Sequence, residues 1–275
     1  MRRILLSFCL SLFLLPKLFA ADNYPTGARS IGLANSSVTI ADGWSAFQNQ
    51  AALAWMDRIS VGASYDNRFT ISNLSTKGFV FTLPVKAGTF ALSGNVFGYS
   101  QYSEKKAGIA FAKKLGEKFS AGVQLDYLNT FINDDNYGSH TTFAVEAGLL
   151  AEPLKNFRIG LHVYNLSRAK LAEYADEKIP TIFRLGASYR FSEKLFWSIE
   201  EEKDIDQKAV FKSGLEYHVA EVLYLRGGIS TNPTLFSFGF GLKMGNLMLD
   251  MASTYHQVLG FSPAVSLTYQ FGKGK

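Results

Sequence analysis

Side chains capable of covalent chemistry are few in this chain of 275 residues. The one cysteine, Cys9, lies in an apolar run that residues 10–15 continue, without the small residues before it and the polar chain after it that a lipid-attachment site needs. The chain beyond it therefore has no thiol nucleophile, no disulfide and no cysteine-based zinc site. There are four histidines: His140, His162, His218 and His256. Ser139-His140 stands close to Asn133, Asp134, Asp135 and Asn136. A membrane lipid hydrolase would need such a serine and histidine on its lipid-facing side with an acidic or amide partner, but no catalytic motif surrounds this pair. The run Glu200-Glu201-Glu202, with Asp204 and Asp206, has the charge to attract Ca²⁺, and a solvated rim explains it more simply. Phe238-Gly239-Phe240-Gly241 lacks the following helix of a nucleotide-binding glycine loop. These residues predict no enzyme, no cofactor and no metal centre.

A second set of charged residues sits at alternate positions among small side chains. The acids are Asp126, Glu146, Glu200, Glu216 and Asp250; the bases are Arg158, Arg184, Arg190, Lys212 and Arg226. Each lies opposite an apolar face. Phe119, Ala121, Val123, Leu125 and Tyr127 alternate with Ser120, Gly122, Gln124 and Asp126. Phe183, Leu185, Ala187, Tyr189 and Phe191 alternate with Arg184, Gly186, Ser188 and Arg190. A period of two is a strand with two unlike faces, and it persists from Ile59 to Phe271. The segments run about ten residues, the length of a tilted membrane-crossing strand. Charges opposite the aromatics, strand after strand, predict lipid outside and a charged lumen network inside. That network is expected to be structural, because an unpaired buried member is costly.

Composition agrees with such a chain. Hydrophobic residues at 47% against 19% charged are too many for disorder. No stretch past residue 20 supplies the roughly 18 apolar residues of a spanning helix. Residues 1–20 read as a signal peptide, with Arg2 and Arg3 first, an apolar run over 4–15, and Ala20-Ala21 at a cleavage point. Without Arg2, Arg3 and Lys17, 25 of the 28 basic residues face 23 acidic ones. No basic stripe is left for nucleic acid.

The connections fall into two alternating classes. Tight ones lie at 84–88, 115–118, 153–156, 192–194, 219–221 and 244–246. Longer, more polar ones lie at 66–75, 98–104, 133–138, 167–179, 203–207, 230–234 and 255–263. Short periplasmic turns alternating with outer loops predict an all-β fold: a transmembrane antiparallel β-barrel of about fourteen strands in a bacterial outer membrane, among lipid and lipopolysaccharide. Residues 58–275 form the barrel. Residues 21–57 do not alternate and read as an N-terminal plug or hatch with helical turns; Asp42 caps one over 43–48, and residues 51–55 form another.

Gly27-Ala28-Arg29-Ser30-Ile31-Gly32-Leu33-Ala34, Val38-Thr39-Ile40-Ala41-Asp42 and Asn49-Gln50-Ala51-Ala52-Leu53-Ala54 resemble the N-terminal signature of FadL-like outer-membrane proteins. That group includes the PorV/PorQ branch of Bacteroidetes. The resemblance implies a fourteen-stranded barrel with the N-terminal segment folded inside it. It draws attention to Gly27, Arg29, Gly32, Asp42 and Asn49, with Arg29 expected to pair with an inward carboxylate. Gln50 replaces the family's usual proline, and the outer loops are short, which argues against uptake of long-chain fatty acids. Two functions follow from the resemblance. One is a PorV/PorQ-like subunit or scaffold of an envelope or secretion machine, closed by its N-terminal segment and bound to a protein partner. The alternative is a passive transporter of small hydrophobic compounds. Short loops and a charged lumen lean toward the first.

Overall fold

The computed structural model describes residues 26–134, 138–172 and 177–272; the expected signal peptide lies outside them. Fourteen strands close into one antiparallel barrel. They are β1 (Ser60–Asn67), β2 (Ser75–Val85), β3 (Gly88–Gly98), β4 (Tyr102–Lys114), β5 (Phe119–Ile132), β6 (Gly138–Leu154) and β7 (Phe157–Tyr164), then β10 (Ile182–Arg190), β11 (Leu195–Asp204), β12 (Val210–Ala220), β13 (Leu223–Ser230), β14 (Leu235–Met244), β15 (Leu247–His256) and β16 (Gly260–Gln270). Two short strands, β8 (Lys170–Ala172) and β9 (Glu177–Lys178), pair with each other in the connection from β7 to β10. The seam is a full ladder, from Ser60 opposite Gln270 to Asp66 opposite Ala264. Closure leaves no unpaired edge, which a sheet in lipid requires.

The alternation of the sequence sorts the side chains. Leu125, Tyr127, Phe143, Leu185, Phe211 and Leu267 are exposed on the outer surface. Their neighbours Asp126, Ala144, Arg184, Lys212 and Ser266 are buried inside. Aromatic pairs such as Tyr127–Phe143 and Tyr269–Phe271 meet edge to face toward opposite ends of the barrel, as interfacial aromatics of membrane barrels do.

Residues 26–57 occupy the lumen. They form a short helix, α1 (Ala28–Gly32), and two 3₁₀ turns, Gly43–Phe47 and Gln50–Trp55. Asp42 begins the first turn by accepting from the Trp44 amide at 2.9 Å, while its own amide donates to the Ser45 hydroxyl. Asn49 caps the second through the Ala51 amide. Trp44, Phe47 and Leu53 pack on Val80, Ala91, Ala110 and Ala112 of the wall. The plug backbone approaches the strands where they carry glycine. A Cβ at Gly122 would lie 2.5 Å from the Gln50 carbonyl carbon, and one at Gly148 would collide with the Asn49 amide oxygen.

The outer end is partly covered by the β7–β10 connection. Asn165 is fully buried there; its amide nitrogen donates to the Ile179 carbonyl, and its amide oxygen accepts from the Ala169 amide. This folds Ile179 inward against Leu128, Ala144 and Tyr164.

Replacing Gly148 by leucine is therefore expected to leave the barrel folded, seen as an unchanged heat-modifiable gel shift. Residues 26–57 should become sensitive to limited proteolysis. An equally resistant plug would mean that the backbone does not rest against this strand.

Candidate functional site

The lumen charges converge on the plug at three places. Arg29 on α1 donates through Nε and Nη2 to both oxygens of Glu216, at 2.9 and 2.8 Å, and through Nη1 to Asp42 at 3.2 Å. Burial opposes the Arg29 charge, but Glu216 and Asp42 outweigh it and raise its pKa above the ordinary guanidinium range. Arg226 donates to Glu216 and Asp250, each at 2.7 Å. The chain Asp42–Arg29–Glu216–Arg226–Asp250 thus ties α1 to three strands.

At the second place Glu200 accepts the backbone amides of Ser37 and Val38, both at 2.8 Å. Lys212 bridges Glu200 and Glu202, and Arg184 donates to Glu202 at 2.6 Å. At the third, Gln50 donates to Glu146 at 2.6 Å, a contact that the family's proline has no side-chain donor to make. Lys106 pairs with Glu146 and with Asp126, the latter at 3.3 Å. His162 joins the second and third groups. Its Nδ1 accepts from Arg184 at 3.4 Å, so its Nε2 donates to Glu146 at 2.8 Å.

Among the family-signature residues, Gly27 has φ +107°, and a Cβ there would meet the Trp44 ring at 2.7 Å. Gly32 lets α1 lie on Arg226. Asn49 donates to the carbonyls of Val38 and Leu149. Asp126, Glu146, Arg184, Glu200, Lys212, Glu216, Arg226 and Asp250 are all buried inward. Arg158 and Arg190 are not part of their network. Arg158 pairs with Glu152 and lies over the Trp55 ring, and Arg190 is exposed over Phe196, both at the periplasmic mouth. Alternation fixes the face of a strand but not the height along it.

Lys106, His162 and Glu202 are network members that sequence reading missed. All three lie on the inward parity of their strands. Lys106 was hidden by its neighbour Lys105, and Glu202 by the acidic run. That run is no single rim, because Glu201 alone of the three glutamates points outward, between Leu185 and Phe211 of the adjacent strands. Ser139 and His140 fall on opposite faces of β6, and Ser139 accepts from Asn129 instead, so no Ser-His pair is assembled.

Two cavities flank α1. The outer one, about 190 Å³, is lined by Ile31, Phe69 and Leu235 together with the polar Asp66, Arg68 and His256 among others, beneath the outer loops. The inner one, about 250 Å³, opens at the periplasmic mouth and is lined by Arg29, Asp42 and Trp44 with wall residues. Five residues of helix, with Ile31 on one side and Arg29 on the other, separate them.

No protein-family model matches the chain, and no curated protein does. Solved structures do. A Pseudomonas aeruginosa FadL homologue superimposes with a TM-score of 0.63 at 15% identity, covering 90% of this chain and 98% of that one. The Ralstonia pickettii toluene transporter TbuX gives 0.67 at 12%, covering 90% and 98%. The Pseudomonas putida toluene transporter TodX gives 0.67 at 11%, covering 91% and 98%. At these identities the likeness is one of fold.

Removing Glu216 leaves the buried Arg226 and the half-buried Arg29 guanidinium groups each short of a partner. Glu216→Ala is expected to destabilise the protein by about 3–5 kcal/mol, and Arg29→Met by less, since Glu216 then keeps Arg226. Urea unfolding in lipid vesicles measures both; equal losses would mean that Arg226 draws nothing from Glu216. The closed antiparallel barrel with its apolar exterior is an outer-membrane architecture of the FadL-like type.

Proposed function

We propose that the protein is a passive channel for small hydrophobic or amphipathic compounds, and that α1 is its gate. The observation that carries this reading is the pair of cavities divided by α1. The outer cavity is the size that accepts a one-ring compound: an apolar cavity of about 150 Å³ binds benzene. Solved structures with the same fold are described as toluene transporters. Every barrel strand is paired on both sides among the described residues, and the two register shifts, at His218/Ala220 and Ala151/Leu154, lie by the periplasmic turns, so the route runs along the lumen and past the plug.

Short outer loops and a charged lumen lean toward a machine subunit of the PorV/PorQ kind; the fold comparisons favour transport. The subunit reading retains one observation of its own. A lipid-facing groove of about 650 Å³ runs over Ala187 and Ser213 between Ile159, Leu185, Phe211 and Ile229, with Glu201 at its edge. A stoichiometric partner retained in mild detergent, and lost when Ala187→Phe fills the groove, would support it.

A cysteine pair tests the gate. A Cβ at Gly32 would lie 3.6 Å from that of Ala252, within the range of a disulfide. With Gly32→Cys and Ala252→Cys, uptake of radiolabelled toluene by intact cells expressing the protein should fall to the empty-vector level when oxidised and recover on reduction. Uptake that equals the vector control even when reduced would sink the transport reading. Uptake indifferent to the lock would sink the gate.

A further inference from the structure

The periplasmic mouth carries positive charge that neither the ties of the plug nor the transport route uses. Five cationic and three anionic side chains line the inner cavity. Each of the three carboxylates is already taken: Asp42 by Arg29, Glu216 by Arg29 and Arg226, and Asp250 by Arg226. Arg190 and Lys243 form no ion pair among the described residues, and Arg58 reaches only its exposed neighbour Asp57, at 3.8 Å. Guanidinium donors left over in a confined space attract the planar or tetrahedral oxygens of an anion.

We propose that this mouth is an oxyanion-binding site for a phosphate or carboxylate group presented from the periplasm. Arg58, Arg190 and Lys243 supply the attracting charge and the donors that line the cavity. Trp44 and Tyr224 line the same cavity. Tyr224 is held by stacking on His218, with ring centroids 4.2 Å apart. At about 250 Å³ the cavity admits a headgroup rather than an extended chain. A free ion and the headgroup of an amphiphile share this chemistry.

Calorimetric titration of the detergent-solubilised full chain tests the site, with inorganic phosphate, hexyl phosphate and hexanol as probes. Phosphate binding alone would identify a free-ion site. Binding of hexyl phosphate alone would identify a headgroup site. Either should weaken about tenfold or more in Arg190→Gln/Lys243→Gln, since both substitutions remove a charge that faces the bound anion. Both substituted residues are exposed and lie outside the plug's ion pairs, so thermal unfolding should be unchanged. The proposal is overturned if neither phosphate binds below about 10 mM, if the double variant binds as well as the parent, or if hexanol binds as tightly as hexyl phosphate. The readout is binding, so failure of the transport reading would not affect it.

Discussion

The rest of the structure depends on Glu216 being shared between Arg29 of the plug and Arg226 of the wall. A barrel of this width leaves a lumen that must hold either water or packed protein. Here it holds protein, so each wall charge must find a partner away from solvent, where an unpaired ion is costly. The wall contributes carboxylates, and the plug contributes donors: the Arg29 guanidinium, the Ser37 and Val38 amides, and the Gln50 side chain. Plug and barrel are therefore electrostatically incomplete without each other.

Sterics complete what charge begins. Donors on the plug backbone reach wall carboxylates only if the backbone lies almost in contact with the strands, and the wall must lack side chains there. Gly214, where a Cβ would lie 2.7 Å from Leu33, answers on the α1 side, and Gly122 and Gly148 answer on the side of the second 3₁₀ turn. Small hydroxyls serve between these points. Ser120 donates to the Ala51 carbonyl, and Ser198 donates to the Ser36 carbonyl. The glycines and serines of the inward face, which in isolation look like weak strand formers, are the docking surface of the plug.

The strands, the turns and the facing of most charged residues were legible because lipid and lumen impose opposite chemistries on alternate residues. Depth was not legible. Arg158 and Arg190 have the inward parity of Arg184, yet they end at the mouth because nothing local in a strand records its height in the membrane. Charge alone makes the Glu200–Glu202 run look like one solvated rim, but alternation already turns Glu200 inward; Glu202 joins it on Lys212, and Glu201 between them faces lipid. Helix α1 was not anticipated: five residues bounded by glycines carry little helical signal, and its stability comes from packing on Arg226 and Ala252. The Gln50 departure was read as a deviation from the family signature; its hydrogen bond to Glu146 depends on a residue 96 positions away, which no local pattern reveals.

The ties are unevenly distributed, and that inequality bears on motion. From Ser36 to Trp55 the plug is fixed to several strands by Glu200, Ser198, Leu149, Glu146 and Ser120. Helix α1 has fewer direct wall bonds: the Arg29–Glu216 pair and the Ala28 amide on Ser266. Its flanks hold backbone that side chains rarely adopt, with φ +107° at Gly27, +54° at Ala34 and +59° at Asn35. Residues with a side chain held at positive φ store strain and relax when released. A segment with strained ends, one central ion pair and a cavity on either side can move while the 3₁₀ turns stay seated. Moving it would cost the Arg29–Glu216 pair and the Gln48–Ser30 contact, while the ties from Ser36 to Trp55 stay in place.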